Sequence, residues 1–182
     1  KDGSFKNEIT PVDVKTRKGV NTVSDDEKPG LVDSAKIPSL RAAFEKNGTV
    51  TAGNASAISD GAAALVLASA EAVKKHGLKP LAKLLGYGGH AQAPEWFTTA
   101  PIGAIEAVLK KTELNVGDID LFEVNEAFAV VSMACIEKAD VPHEKMNVWG
   151  GAVSLGHPIG ASGARILVTL LSALEDRGES KG

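Results

Sequence analysis

The order of apolar and polar positions predicts strands alternating with helices from about Gly48 onward, after a polar and irregular start. In the polar part, Phe5–Val14 reads as a short edge strand, since Pro11 cannot donate to a central ladder. Lys15–Asp26 reads as a solvated loop, because the basic KTRKG run is followed at once by acids. Pro38–Phe44 reads as one short helix. Ala62–Ala68 (AAALVLA) is a continuous small-and-branched run, predicting a strand buried on both faces. Ser69 suits the cap of a helix that ends at His76 with Gly77 as its stop. Leu81–Tyr87 is the next strand. Pro101 fits a helical first turn, and Ile102, Ile105, Val108 and Leu109 share one helical face. Asp120–Val124 predicts a strand, with Asn125 opening a helix over Glu126–Lys138. Asn147–Trp149 predicts a short strand leading into a glycine-rich loop. Ala161–Arg177 predicts a last helix whose wide apolar arc calls for burial. Together these elements predict an α/β layered domain.

Composition narrows the class. The chain has 182 residues and a formal net charge of −3, which leaves no basic footprint for nucleic acid or an anionic membrane surface. No apolar run approaches the roughly 20 residues of a membrane helix. The single cysteine, Cys135, excludes a disulfide within these residues and fits a reducing, cytoplasmic setting. The chain starts at Lys1 and stops just past a long helical pattern, so we expect it to be part of a longer polypeptide.

Two loops carry candidate chemistry. Asn125-Glu126-Ala127-Phe128 lies where a strand hands over to a helix, a position at which ligands collect in open α/β sheets. Asn125 also reads as an ordinary N-cap. The second loop, Gly150–Gly163, places glycines around His157 and Pro158 ahead of the last helix, so its backbone can approach a ligand or another loop closely. A histidine near a helix N-terminus suits a general base, although a hydrogen-bonded structural histidine fits too. The glycine spacing is neither the dinucleotide fingerprint nor a P-loop. The histidines lack metal-ligand spacing, and Cys135, among apolar neighbours, reads as a small core residue.

The NEAF stretch at Asn125–Phe128 and GGAVSLGHPIGASGAR at Gly150–Arg165 resemble the thiolase family, specifically its acetyl-CoA acetyltransferase type. GTVTAGNASAISDGAAA at Gly48–Ala64 and the FKNEITPV and RKG stretches extend the resemblance over nearly the whole chain. It implies a thiolase-like layered fold with helices packed on a mixed β-sheet. Residues 1–48 would be the remainder of the loop and N-terminal region, and 49–182 a C-terminal domain lacking its final strands. It implies Claisen condensation of two acetyl-CoA to acetoacetyl-CoA, and the reverse thiolysis, through a cysteine acyl-enzyme.

On this resemblance His157 activates the cysteine and donates to the developing enolate oxygen, while Asn125 holds a water at the same oxyanion site. Ser56, Phe44, Ala52, Ala127 and Phe128 match contacts along the pantetheine arm of coenzyme A, with core packing the other reading of Ala52 and Ala127. Trp96 and Phe97 match a loop covering the acyl pocket. Coenzyme A thioesters are the substrates, with no tightly bound cofactor, no metal, no nucleic acid and no membrane partner, in a homo-oligomeric dimer or tetramer. The nucleophilic cysteine and a second cysteine in a CxGGG-type segment are absent from these residues, so they alone are expected to be inactive. Two further readings remain: a β-ketoacyl synthase-like condensing enzyme, and a non-catalytic module for coenzyme A binding or oligomerisation.

Overall fold

A computed structural model describes residues 3–182. The helices follow local signals. α1 (Ala70–His76) opens where the Ser69 hydroxyl accepts from the Ala72 N–H at 3.1 Å, and it stops at Gly77 with φ of 60°. α2 (Ala100–Thr112) carries Pro101 in its first turn and ends on left-handed Glu113. α3 (Ala129–Lys138), α4 (Ala152–Leu155) and α5 (Ser162–Arg177) complete the set, α5 ending at left-handed Gly178. α5 is only partly covered: Ser162, Thr169 and Ala173 are buried while Leu167 is exposed.

One helix starts later than its sequence predicts. Asn125 is not the N-cap of α3, because the helix begins only at Ala129 and extended Phe128 holds the cap position. Their backbone groups bond to the segment around residues 54–56. The Ser56 N–H donates to Ala127 O and the Ala129 N–H to Asn54 O, both at 2.9 Å. A carbonyl from a remote segment thus takes an orphan donor of α3, and the Asn125 side chain is free for other work.

The polar start also departs from expectation. β1 (Val12–Thr16) and β2 (Gly19–Val23) form an antiparallel hairpin in register Val12↔Val23 and Thr16↔Gly19. The solvated loop is therefore largely a second strand. Gly19 at φ of 123° allows the reversal, and the Thr22 hydroxyl donates to Asp13 Oδ1 at 2.6 Å across the pair. Pro38–Phe44 is no helix. A 3-10 turn over Ser34–Ser39 contains Pro38 and ends at extended Leu40, and Ala42 then pairs with Thr51.

The remaining predicted strands run without regular pairing among the described residues. Segments 62–68 and 81–87 form no strand, and Val66 and Leu67 are 95% and 80% exposed rather than buried. An apolar run makes a buried strand only when neighbours take its N–H and C=O groups. The predicted strand Asn147–Trp149 is instead a turn, with Asn147 at φ of 46° and the Gly150 N–H donating to Asn147 O at 2.7 Å. Segment 120–124 does meet residues 145–147. Phe122 and Met146 form a parallel bridge in which the Phe122 N–H donates to Lys145 O and the Asn147 N–H to Phe122 O, both at 2.8 Å.

The core lies between that pair of segments and α3. Val124, Val131, Cys135, Ala139, Val141 and Met146 are buried together, with Ile102 and Ile105 of α2 packed against them. Cys135 is fully buried, as its apolar neighbours imply, and burial pushes its thiol pKa up. No described helix is long and apolar enough to cross a membrane.

Candidate active site

Segment 54–58 connects the two motif loops. On one side it binds the Asn125–Ala129 backbone as described; on the other, Ala57 O accepts from the His157 N–H at 3.0 Å and Ile58 bridges His157 in parallel. The His157 loop can come this close because Gly156 sits at φ of 93° and faces Ser59, where a Cβ would collide with the serine hydroxyl.

This arrangement brings Asn125 Nδ2 to 3.4 Å from His157 Nε2. The other ring nitrogen, Nδ1, lies 2.6 Å from Ser162 Oγ, and the Ser162 hydroxyl donates to Pro158 O at 3.0 Å. A hydroxyl whose proton goes to Pro158 accepts from Nδ1–H. An amide NH₂ only donates, so Nε2 carries the lone pair. This assigned tautomer leaves His157 with an acceptor nitrogen facing Asn125. Asn125 Oδ1 is buried and has no hydrogen-bond partner. The site therefore offers a base and an open amide acceptor side by side.

Neighbouring side chains fix the loops. Glu126 Oε2 accepts from the Val153 N–H at 3.2 Å in the first turn of α4, and Gly151 has no Cβ to collide with that carboxylate. The Asn147 side chain clamps Val124 from both ends: Oδ1 accepts from Val124 N at 2.8 Å and Nδ2 donates to Val124 O at 3.0 Å. Ser162, Glu126 and Asn147 were not singled out by sequence. Glu126 lies 27 residues before Val153, so nothing local in the sequence marks this contact.

The other expected contacts fall into two groups. Phe44 and Phe97 each meet Phe128 edge-on, with ring centroids 6.1 Å apart in both pairs. Phe128 also packs on the core, whereas Phe44, Trp96 and Phe97 are exposed. Ser56 and Ala127 are half-buried and joined through their backbones, while Ala52 is exposed, so core packing does not explain it.

Residues 78–182 match the model of the thiolase C-terminal domain and residues 1–71 that of the thiolase N-terminal domain. The chain belongs to the thiolase family. It is 52% identical over 176 residues to the acetyl-CoA acetyltransferase of Yarrowia lipolytica, covering 97% of this chain and 44% of that protein. The Bacillus anthracis acetyl-CoA acetyltransferase superposes with a TM-score of 0.93 at 43% identity, covering 97% of this chain and 45% of the other. Human mitochondrial 3-ketoacyl-CoA thiolase in complex with CoA gives 0.84 at 38% identity, covering 97% and 44%. The chain thus spans less than half the length of these thiolases while following their fold closely. Its α/β class is that of the family.

Proposed function

We propose that the protein containing this chain is an acyl-CoA C-acetyltransferase, which condenses two acetyl-CoA to acetoacetyl-CoA with release of coenzyme A and catalyses the reverse thiolysis. The observation that carries this reading is the His157–Asn125 pair, a lone-pair nitrogen beside an amide whose oxygen is buried and unpartnered. The names of the relatives and the coenzyme A complex of one of them agree with it.

The chemistry divides between this chain and groups outside it. Cys135 is buried in the core with a raised pKa, which disqualifies it as nucleophile, so a cysteine beyond these residues takes the acyl group. His157 Nε2 accepts the thiol proton, and the sulfur attacks the thioester carbonyl and displaces coenzyme A thiolate. The thiolate takes a proton from an acid outside this chain, and the conjugate base left behind is the one that acts in the second stage. The protonated Nε2–H is then a donor. When a base outside this chain deprotonates a second acetyl-CoA, Nε2–H and a water held by Asn125 bind the enolate oxygen. The enolate carbon attacks the acyl-cysteine, and the departing sulfur recovers its proton from His157. Donors placed where negative charge develops contribute several kcal/mol at about 3 to 4 kcal/mol each.

Ser56, Phe44, Ala52, Ala127 and Phe128 would contact the pantetheine arm, the exposed phenylalanine faces supplying apolar surface. Assembly as a homo-oligomer and a cytoplasmic role in fatty acid metabolism belong to the same proposal. The test is turnover of acetoacetyl-CoA with coenzyme A, run beside carrier-protein thioesters. Cleavage of the coenzyme A substrate supports the reading. Turnover of carrier thioesters alone would make the protein a synthase, and coenzyme A binding without turnover a non-catalytic module.

A further inference from the structure

Behind the His157–Asn125 pair lies a set of ionisable side chains that this chemistry does not use. Glu123, two residues before Asn125, has a side chain only 2% exposed, and neither carboxylate oxygen has a hydrogen-bond partner. It faces Arg165 Nη1 at 4.0 Å. Arg165 belongs to the first turn of α5, three residues beyond Ser162, and its side chain is 20% exposed. Its guanidinium donates to Thr169 Oγ1 at 3.4 Å, and the fully buried Thr169 hydroxyl donates to Glu8 Oε2 at 2.8 Å. Glu8 Oε1 is buried without a partner. Residues from the chain start, the segment before Asn125 and the helix after His157 therefore converge on one guanidinium.

We propose that the Glu123–Arg165 pair, tied through Thr169 to Glu8, is a positioning brace that holds the segment ending in Asn125 against the helix presenting Ser162 to His157, and so sets the Asn125–His157 spacing. The catalytic consequence rests on the function proposed above. The brace joins the backbone stretches that carry each member of the pair. With two carboxylates and one guanidinium it holds an excess of negative charge in a poorly solvated place. Burial pushes the Glu123 carboxyl up to about 7, Arg165 drawing it down and Glu8 pushing it further up. Burial also pulls the Arg165 guanidinium below its usual range, against Glu123 and Glu8. These are the charged groups that act on Glu123. The brace therefore grips when Glu123 is ionised and slackens when it is protonated.

The test uses the complete enzyme with Glu123→Gln, which keeps the side-chain shape, and Arg165→Lys, which keeps the charge but loses the fork. Glu123→Gln is expected to lower kcat by about tenfold to a hundredfold, since small misplacements of reacting groups cost that much. The KM for coenzyme A thioesters should stay within about twofold, because the brace does not touch them. The wild-type kcat should rise with pH through about 7, and Glu123→Gln should lack that limb. Arg165→Lys should fall between the two. ¹⁵N NMR of His157 gives a readout independent of turnover: the variant should carry less of the Nδ1–H tautomer, since Asn125 no longer donates squarely to Nε2. A Glu123→Gln enzyme with wild-type kcat, pH profile and ¹⁵N spectrum would overturn the brace. If the wild-type enzyme turns over no acyl-CoA, the functional reading fails, and the His157 spectrum alone decides the brace.

Discussion

Asn125 and His157 are 32 residues apart in the chain, yet Nδ2 of one lies 3.4 Å from Nε2 of the other. Neither residue lies within a helix, although Ser162 at the start of the following helix holds the His157 ring. Asn125 precedes a helix that does not begin until Ala129, and His157 precedes one that begins at Ser162. On both sides the backbone beside the contact is bonded to segment 54–58.

On the proposed function, removing His157 should be costly. In the complete enzyme His157→Ala is expected to reduce kcat for acetoacetyl-CoA thiolysis by about 10²- to 10⁴-fold, the range for a lost general base. Asn125→Ala should lower it by on the order of 10²-fold with a smaller change in KM. Steady-state kinetics on both variants checks this, and near-wild-type turnover in either would remove that residue from the chemistry.

Ser162 tests the tautomer. With its hydroxyl on His157 Nδ1, Ser162→Ala should let the neutral ring shift its proton toward Nε2, where it cannot accept the thiol proton. ¹⁵N NMR of the ring should show the redistribution, and kcat should fall about tenfold or more from the lost orientation. An unchanged tautomer ratio would show that Ser162 does not set it.

Gly156 tests the close approach of the loop. A Gly156→Ala chain would place a Cβ on the Ser59 hydroxyl from a backbone at φ of 93°. We expect a loss of about 1–3 kcal/mol, read from the denaturation midpoint. Pairing it with Ser59→Gly should recover the steric part and leave the backbone part.

Glu123 gives stability a pH dependence of known sign. Its carboxyl is raised from 4.5 to about 7 in the folded protein, so the folded state binds the proton more tightly than the unfolded one. The resulting stabilisation is fully present below about pH 4.5 and is lost as pH rises through about 7, an order-of-magnitude change of about 3 kcal/mol. Denaturation midpoints measured from pH 4 to 8 should decline more steeply for wild type than for Glu123→Gln. Parallel curves would contradict this assignment.

How much of this was readable from sequence depended on how local the controlling interaction is. The Ser69 cap, the Gly77 stop and the Pro101 start act within a few residues, and those helices lie where the pattern places them. Asn125 has the right residue type for a cap but does not serve as one, because Asn54 O, far away in the chain, takes the Ala129 N–H. The edge strand read over Phe5–Val14 overlaps β1 in part, whereas β2 lies in the charged stretch read as a loop and is exposed along its whole length, so no buried face marks it. Val66 and Leu67 have the composition of a buried strand and lie open, since burial depends on a partner rather than on the run itself. His157 stood out among the glycines of its loop, and it and Asn125 took their roles from motifs that resemble a known family. Ser162, Glu126 and Arg165 are ordinary residue types whose roles come from what they touch.

The backbone of residues 54–57 is bonded to both the Asn125–Ala129 stretch and the His157 loop. Both loops therefore move in common with one short anchor, so thermal drift of that anchor carries the base and the amide together. Their separation is buffered against such motion, whereas the distance from either one to a group outside this chain is not. The anchor ties the two backbones to each other, the proposed brace sets the spacing of their side chains, and alignment with groups outside this chain is left to the surrounding protein.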